Sequence, residues 1–412
     1  MARPAAAAES LALLDYEDYY MMEGSGNWSG CSGPEETDWE VSFSLLPVLY
    51  MLVFVLGLSG NGLVLLTVCR APSGKRRSAD AYLGNLALAD LAFVVTLPLW
   101  AAYTALRFHW PFGSCLCKLS SYLVLLNMFA SAFCLGGLSV ERYLAIVHAL
   151  PRSAGRPAAA AAASPSSPSR PRPSTGVALG AVWLLAGLLA LPALLLRDTR
   201  LSRRPAGPDG SNASLAASAS VECDMDFSGV ASSPAEEGYW LAALSLATTG
   251  LGFVLPLLLM TLCYCCIGAT VRRHFQQQPP GRKEGEGQQR RRRLLRILVA
   301  LVAVFSGCWL PFHLLKALFV LDWVGLVPLP CALQELIVRL HPYATCLAYV
   351  NSCLNPFLYA FFDGRFRAQC RLLLGMRKAR RSPAASSAAG SVSSTLSGQT
   401  QKSEAPSLGT KV

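Results

Sequence analysis

Residues 119–147 read LSSYLVLLNMFASAFCLGGLSVERYLAIV. The run from Leu119 to Val140 carries no charged side chain. As a helix rising 1.5 Å per residue it extends about 33 Å, enough to cross the ~30 Å hydrocarbon core of a bilayer. Helix is required, because in lipid each backbone N–H and C=O must find its partner within the segment. Charge returns at the far end with Glu141-Arg142-Tyr143, where the chain re-enters a polar phase.

Six further blocks of the same kind flank this one: Leu45–Val68, Ala81–Ala105, Val177–Leu196, Trp240–Val271, Leu294–Leu321 and Leu336–Phe361. The fold class is therefore an all-α membrane protein, a seven-transmembrane helix bundle over residues 45–361. Composition agrees, with 53% hydrophobic and 15% charged residues against about 25% charged in soluble domains. The seventh block is the weakest, since Arg339, His341 and Asn355 interrupt it. Outside the bundle lie an acidic tail (1–44), a short amphipathic helix (362–374) and a disordered tail (375–412) rich in serine. An Ala/Pro/Ser-rich insert at 151–174 reads as disordered.

Twenty-seven of the 36 basic residues follow spans one, three, five and seven. Lys and Arg concentrate on the cytoplasmic side of membrane proteins, so the N-terminus lies outside. The tail before span one holds nine carboxylates, Glu36 and Asp38 among them, against Arg3 alone. The net charge of +11 thus averages two opposite faces. The basic one suits the anionic lipids of the inner leaflet rather than nucleic acid. Two sequons, at Asn27 and Asn212, both fall outside, as glycosylation requires. Five cysteines share that side: Cys31, Cys115, Cys117, Cys223 and Cys331. A Cys117–Cys223 bridge is expected between span three and the loop after span four, and Cys31–Cys331 between the tail and the last outer loop. Cys115 stays open as an alternative partner of Cys223.

Several residues are too polar for lipid. Asp90 sits in span two, where a carboxylate costs about 2.5–3.5 kcal/mol on insertion scales. Asn127 and Ser131 share one face of span three. Span one offers Asn61; span seven offers Asn351, Ser352 and Asn355. Together they form a cage for a monovalent cation, sodium, or else a hydrated hydrogen-bond network without an ion. No other metal and no cofactor is expected. Pro311 follows Phe305 and Trp309, a bulky pair beside a kink that lets the inner half of span six swing. Arg197 and Lys316 end spans four and six; they either snorkel to headgroups or face inward to receive an anion. Trp100, Tyr103, Phe312, His313, Phe319, Tyr343 and Tyr349 line a cavity or, for the aromatics, anchor helix ends at the interface.

Gly60-Asn61, Leu86-Ala87-Leu88-Ala89-Asp90, Glu141-Arg142-Tyr143, Trp183, Pro256 with Tyr264, Cys308-Trp309-Leu310-Pro311 and Asn355-Pro356-Phe357-Leu358-Tyr359 fall in order on successive spans. In these motifs the sequence resembles the rhodopsin-like (class A) G-protein-coupled receptors. Lys75–Asp80, Val94–Trp100, Cys117–Leu123 and Tyr349–Phe362 resemble the apelin-receptor branch, and the likeness spans roughly Thr37–Cys370 apart from the insert. The resemblance implies a plasma-membrane receptor for the peptides apelin and Elabela/Toddler, acting in vascular and heart development. It implies inhibitory G proteins and, through a phosphorylated tail, arrestin as inner partners. The peptide's C-terminal carboxylate would meet Arg197 and Lys316. Activation would free Arg142 from Glu141 while Trp309 and Pro311 release span six and Tyr264 and Tyr359 turn inward. The sequence departs from the family at Glu141, usually Asp, and in a less acidic first outer loop, Arg107-Phe108-His109. The alternatives are a receptor for angiotensin-like or chemokine-like peptides and, from another class, a secondary transporter. A transporter would show paired repeats, which the sequence lacks. An enzyme is not expected, because Asp90 has no second carboxylate for acid–base work.

Overall fold

The computed structural model describes residues 40–70, 78–147, 173–203, 219–276 and 286–373. Asn27, Cys31, Glu36, Asp38, Asn212, the 151–172 part of the insert and the tail from 374 lie outside these. Span one is α1 (Glu40–Cys69); span two is α2 (Ser78–Val94) with α3 (Leu97–Ala105); span three is α4 (Gly113–Val147). Span four is α5 (Pro173–Leu196), followed by a hairpin of β1 (Arg197–Arg203) and β2 (Ala219–Met225). Span five joins α6 (Pro234–Thr249), a π-helical turn (Gly250–Val254) and α7 (Leu255–Gln276). Spans six and seven are α8 (Glu286–Trp323) and α9 (Cys331–Phe362), and α10 (Gly364–Leu373) follows.

Most helices outrun their apolar blocks, because a helix continues past the hydrocarbon until a cap or breaker stops it. α4 starts at Gly113 rather than Leu119, which places Cys115 and Cys117 on the helix itself. α5 starts at Pro173, inside the expected insert, and α1 starts at Glu40, inside the expected tail. Ser233 caps α6: its hydroxyl accepts the Glu236 N–H at 3.3 Å, while Glu236 accepts the Ser232 N–H at 2.9 Å. The span-two break follows from Pro98, which has no N–H to give Val94; Thr96 turns both its N–H and its hydroxyl to the Phe93 carbonyl at 2.8 Å.

Spans one to six are long and apolar enough to cross a membrane. α9 falls short on composition, and its burial explains why. His341, Asn351, Ser352 and Asn355 are buried against the bundle, whereas Leu340, Leu347, Phe357 and Phe361 face outward. A polar inside with an apolar outside is the pattern of a bundle helix in lipid. α10 folds back under it: Phe366 packs on Tyr359 at 6.2 Å, and Arg367 donates to the Ala360 and Phe361 carbonyls at 3.0 and 2.6 Å.

The hairpin adds a small two-stranded sheet. β1 and β2 pair antiparallel, with Arg197 opposite Met225 and Thr199 opposite Cys223. The Cys117–Cys223 disulfide ties it to α4 across 106 residues of chain. In chain-entropy terms, closing a loop near that length is worth about 4.7 kcal/mol. Lys118 adds an ion pair to Asp198 at 3.0 Å, and Arg200 pairs with Asp226. Hydrogen bonds from Ser114, Lys118 and the Thr199 backbone hold the Asp198 carboxyl at about 2. Cys115 is an exposed free thiol, so it does not compete for Cys223. Cys331 is itself disulfide-bonded.

Candidate functional site

A cavity lies beneath the hairpin, among α4, α6, α8 and α9. Trp309 and Met128 border it, and Arg197 and Lys316 line it, each 1% exposed. That burial removes the snorkelling reading for both cations: neither head reaches the interface. Arg197 opens β1 and turns inward, where its guanidinium donates to the Cys223 carbonyl at 2.8 Å. The disulfide fixes that carbonyl, so the bridge also positions the arginine. Lys316 stands one turn from Phe312, with Nζ 5.6 Å from the ring centroid, close enough for a cation–π contribution.

Of the expected ligand residues described, Arg197, Phe312, Lys316 and Tyr349 line this cavity. The others lie elsewhere. Trp100 and Tyr103 are buried in an aromatic stack with Trp110, at 5.3 and 5.1 Å, under the hairpin. The Tyr103 hydroxyl accepts the Cys223 N–H at 3.3 Å, so it supports the roof. Phe319 belongs to the same upper core. His313 lies behind Trp309, stacked on Phe253 at 4.8 Å and 3.1 Å from the Thr249 hydroxyl. Tyr343 faces α1, where its hydroxyl is 2.9 Å from that of Ser42. The first outer loop is a strap. Arg107 and Phe108 adopt φ of 52° and 65°, strained for non-glycine residues. Phe108 is pinned between Phe43 and Tyr103 at 5.4 and 5.8 Å, and Arg107 reaches Glu40 at 2.6 Å.

Ser121, Leu125 and Met128 also line the cavity. Their spacing places them on one face of α4, a signal the sequence carried. Thr248 and Thr345 had none beyond being hydroxyls within a span. Gly252 in the π-helical turn permits the close approach of span five: a Cβ there would stand 2.8 Å from Met128 Cε.

Below the cavity, the polar residues converge on Asp90. Asn127 and Asn355 each donate to one of its carboxylate oxygens at 2.9 Å. Asn127 also reaches the Ser131 hydroxyl and accepts from Ser352, both at 3.3 Å. Asn61 joins indirectly, donating to the Ser352 carbonyl at 2.8 Å. The buried side-chain oxygens of Asn61 and Asn351 have no hydrogen-bond partner among the described residues.

At the far end Arg142 pairs with its neighbour Glu141 at 3.3 Å. The Ser139 hydroxyl donates to the Tyr264 hydroxyl at 3.2 Å, and the buried Tyr359 hydroxyl has no partner among the described residues. Tyr143 is partly buried beside them. Pro311 lies within a continuous α8, with Phe305 6.4 Å from Trp309 and 6.0 Å from Phe253. A cavity with two buried cations on its wall, a polar network around Asp90 and a locally paired arginine thus stand in line along one bundle. Residues 60–359 match the family described as the 7 transmembrane receptor (rhodopsin family). The chain belongs to that family. This rhodopsin-family receptor is 56% identical to Apelin receptor A of Xenopus laevis over 404 residues, covering 98% of this chain and 99% of that one. It is 54% identical to Apelin receptor A of Danio rerio, over 97% of this chain and 99% of that one. Type-1 angiotensin II receptor A of Xenopus laevis is 33% identical over 79% and 78%. The family is one of receptors rather than enzymes, and its members cross the membrane repeatedly.

Proposed function

We propose that this rhodopsin-family receptor sits in the plasma membrane with its hairpin end outside and responds to apelin and Elabela/Toddler. The observation that carries this reading is the pair of buried cations, Arg197 and Lys316, on the wall of one cavity. Arg197 and Lys316 bring nitrogen donors to one wall, and the two oxygens of a peptide's C-terminal carboxylate match such donors with charge-assisted hydrogen bonds. The acidic residues of the N-terminal tail, Glu36 and Asp38 among them, attract a basic peptide from a distance and raise its encounter rate. The greater identity to apelin receptors than to angiotensin receptors favours the apelin-type ligand over an angiotensin-like one.

The ligand presses on Trp309 through the cavity and favours the state in which α8 pivots near Pro311. Arg142 then parts from Glu141, and Tyr264 and Tyr359 swing toward it. The cleft so opened accepts an inhibitory G protein, which lowers cyclic AMP; arrestin engages the phosphorylated tail. Asp90, whose partner Asn127 also reaches the Ser131 hydroxyl, would hold a sodium ion, which would neutralise the buried carboxylate in the resting arrangement. Basic residues on the inner side, such as Arg272 and Arg273, meet anionic lipid. The ligand shifts this equilibrium only by its differential affinity for the two states.

The test is inhibition of cyclic AMP in cells expressing this chain, challenged with apelin, Elabela/Toddler and angiotensin peptides. Responses to the first two but not the third are expected. A response to angiotensin alone, or to none of them, overturns the assignment.

A further inference from the structure

We propose that an acyl chain of a membrane phospholipid resides in a wedge between α4, α5 and α6, and acts on the ligand cavity from behind. The wedge is lined by Phe129, Leu188, Leu189, Pro192, Leu244 and Leu251. α5 packs chiefly on α4, and α6 on α8, so the two helices splay. The mouth opens sideways: Leu188 is 53% and Leu251 40% exposed, and Ala247 is exposed between them. Leu188 lies about 12 Å below the hairpin end of α5 at 1.5 Å per residue. The surrounding medium at that depth is hydrocarbon, not water.

The lining also selects what enters. Its one polar side chain is Thr248, whose hydroxyl donates to the Leu244 carbonyl at 2.6 Å. No lining residue presents a buried polar atom without a partner. An occupant needs no hydroxyl or headgroup inside, which fits an acyl chain better than a sterol anchored through its 3-hydroxyl.

Two residues, Leu125 and Thr248, line both the wedge and the ligand cavity. The partition between lipid and ligand is thus one side chain thick. A chain filling the wedge holds that wall in place and reduces the ordering the ligand must impose. Linkage makes the effect reciprocal, so a ligand in the cavity tightens the chain in the wedge.

The full chain is placed in nanodiscs of palmitoyl-oleoyl phosphatidylcholine containing a phosphatidylcholine with a diazirine on one acyl chain. After photolysis, mass spectrometry maps the labelled residues. Labelling at the wedge should exceed that at Leu184 and Leu195, which face bulk lipid at 66% and 70% exposure. Ala247→Trp at the mouth should abolish it, and Leu195→Trp should not. Labelling equal at all these positions, or unaffected by Ala247→Trp, refutes a resident chain. Preferential capture of a diazirine sterol at the same residues refutes the choice of occupant. The coupling rests on the peptide reading above and has its own readout. Saturating apelin should raise the apparent lipid affinity at the wedge by about fivefold, the lower end of ordinary coupling, without changing Leu195. No change despite bound peptide refutes the coupling alone; no peptide binding at all refutes the ligand assignment and leaves the first comparison standing.

Discussion

Replacing Lys316 with alanine isolates the carboxylate-docking step. Lys316 is 1% exposed, so its charge meets a ligand in a low-dielectric setting. Two unit charges about 4 Å apart attract by about 4 kcal/mol at an effective dielectric of 20. Part of that is offset. The carboxylate loses its water, and Nζ already has the Phe312 ring at 5.6 Å. A hydrogen bond to a charged group nets about 1.5–3 kcal/mol, which is roughly a 10- to 150-fold loss of affinity at 1.4 kcal/mol per decade. Arg197 remains to hold the other carboxylate oxygen, so binding is weakened rather than abolished. The assay is competition binding on membranes, with surface receptor quantified, using the same peptide as free acid and as C-terminal amide. The amide should bind wild type weakly and be nearly indifferent to Lys316→Ala. An equal loss for acid and amide, or a change below about twofold for the acid, refutes carboxylate docking at this lysine.

Asp90→Asn should abolish the sodium dependence of agonist binding while the receptor still reaches the surface; sodium sensitivity that persists points to the hydrated network instead. Glu141→Gln removes a partly buried ion pair 3.3 Å long, worth about 0.5–1 kcal/mol, and should raise ligand-independent inhibition of cyclic AMP about two- to fivefold; unchanged basal signalling would count against a local restraint on Arg142. Asp198 is held at about 2, below the usual carboxylate value, so its stabilising contribution is complete above about pH 4 and is lost as pH falls toward 2. The difference in thermal midpoint between wild type and Asp198→Asn should therefore stay constant from pH 8 to pH 5. A difference that shrinks across that interval would show that the hydrogen bonds from Ser114, Lys118 and Thr199 do not set its titration.

Much of the bundle was legible because lipid imposes a simple length and polarity rule. Even the weak seventh block is explained by that rule, once His341, Asn351 and Asn355 are seen to face inward. Asp90, Asn127 and Asn355 were legible for the same reason: an amide or carboxylate among leucines has few places to go. The hairpin was harder to read: Ala219, Val221, Cys223 and Met225 do alternate with Ser220, Glu222 and Asp224, but the partner strand Arg197–Arg203 carries no such alternation. The roles of the aromatics were not legible. Trp100, Tyr103 and Tyr349 look alike in sequence, yet two brace the roof and one lines the cavity. The difference is set by rotation about each helix axis, which depends on breaks such as Thr96-Leu97-Pro98 and on contacts such as Tyr349 with Phe93 at 4.9 Å.

In the proposed mechanism, an anion entering beneath the hairpin moves the inner end of α8 away from Arg142. Spin labels at Leu144 and Arg296, both exposed, in a background lacking the exposed thiols Cys69, Cys115, Cys265 and Cys266, report that separation by pulsed electron resonance. Free-acid apelin with a G protein should lengthen the distance, and Lys316→Ala should need a correspondingly higher peptide concentration for the same change. A distance that stays fixed with peptide and G protein bound would contradict the account.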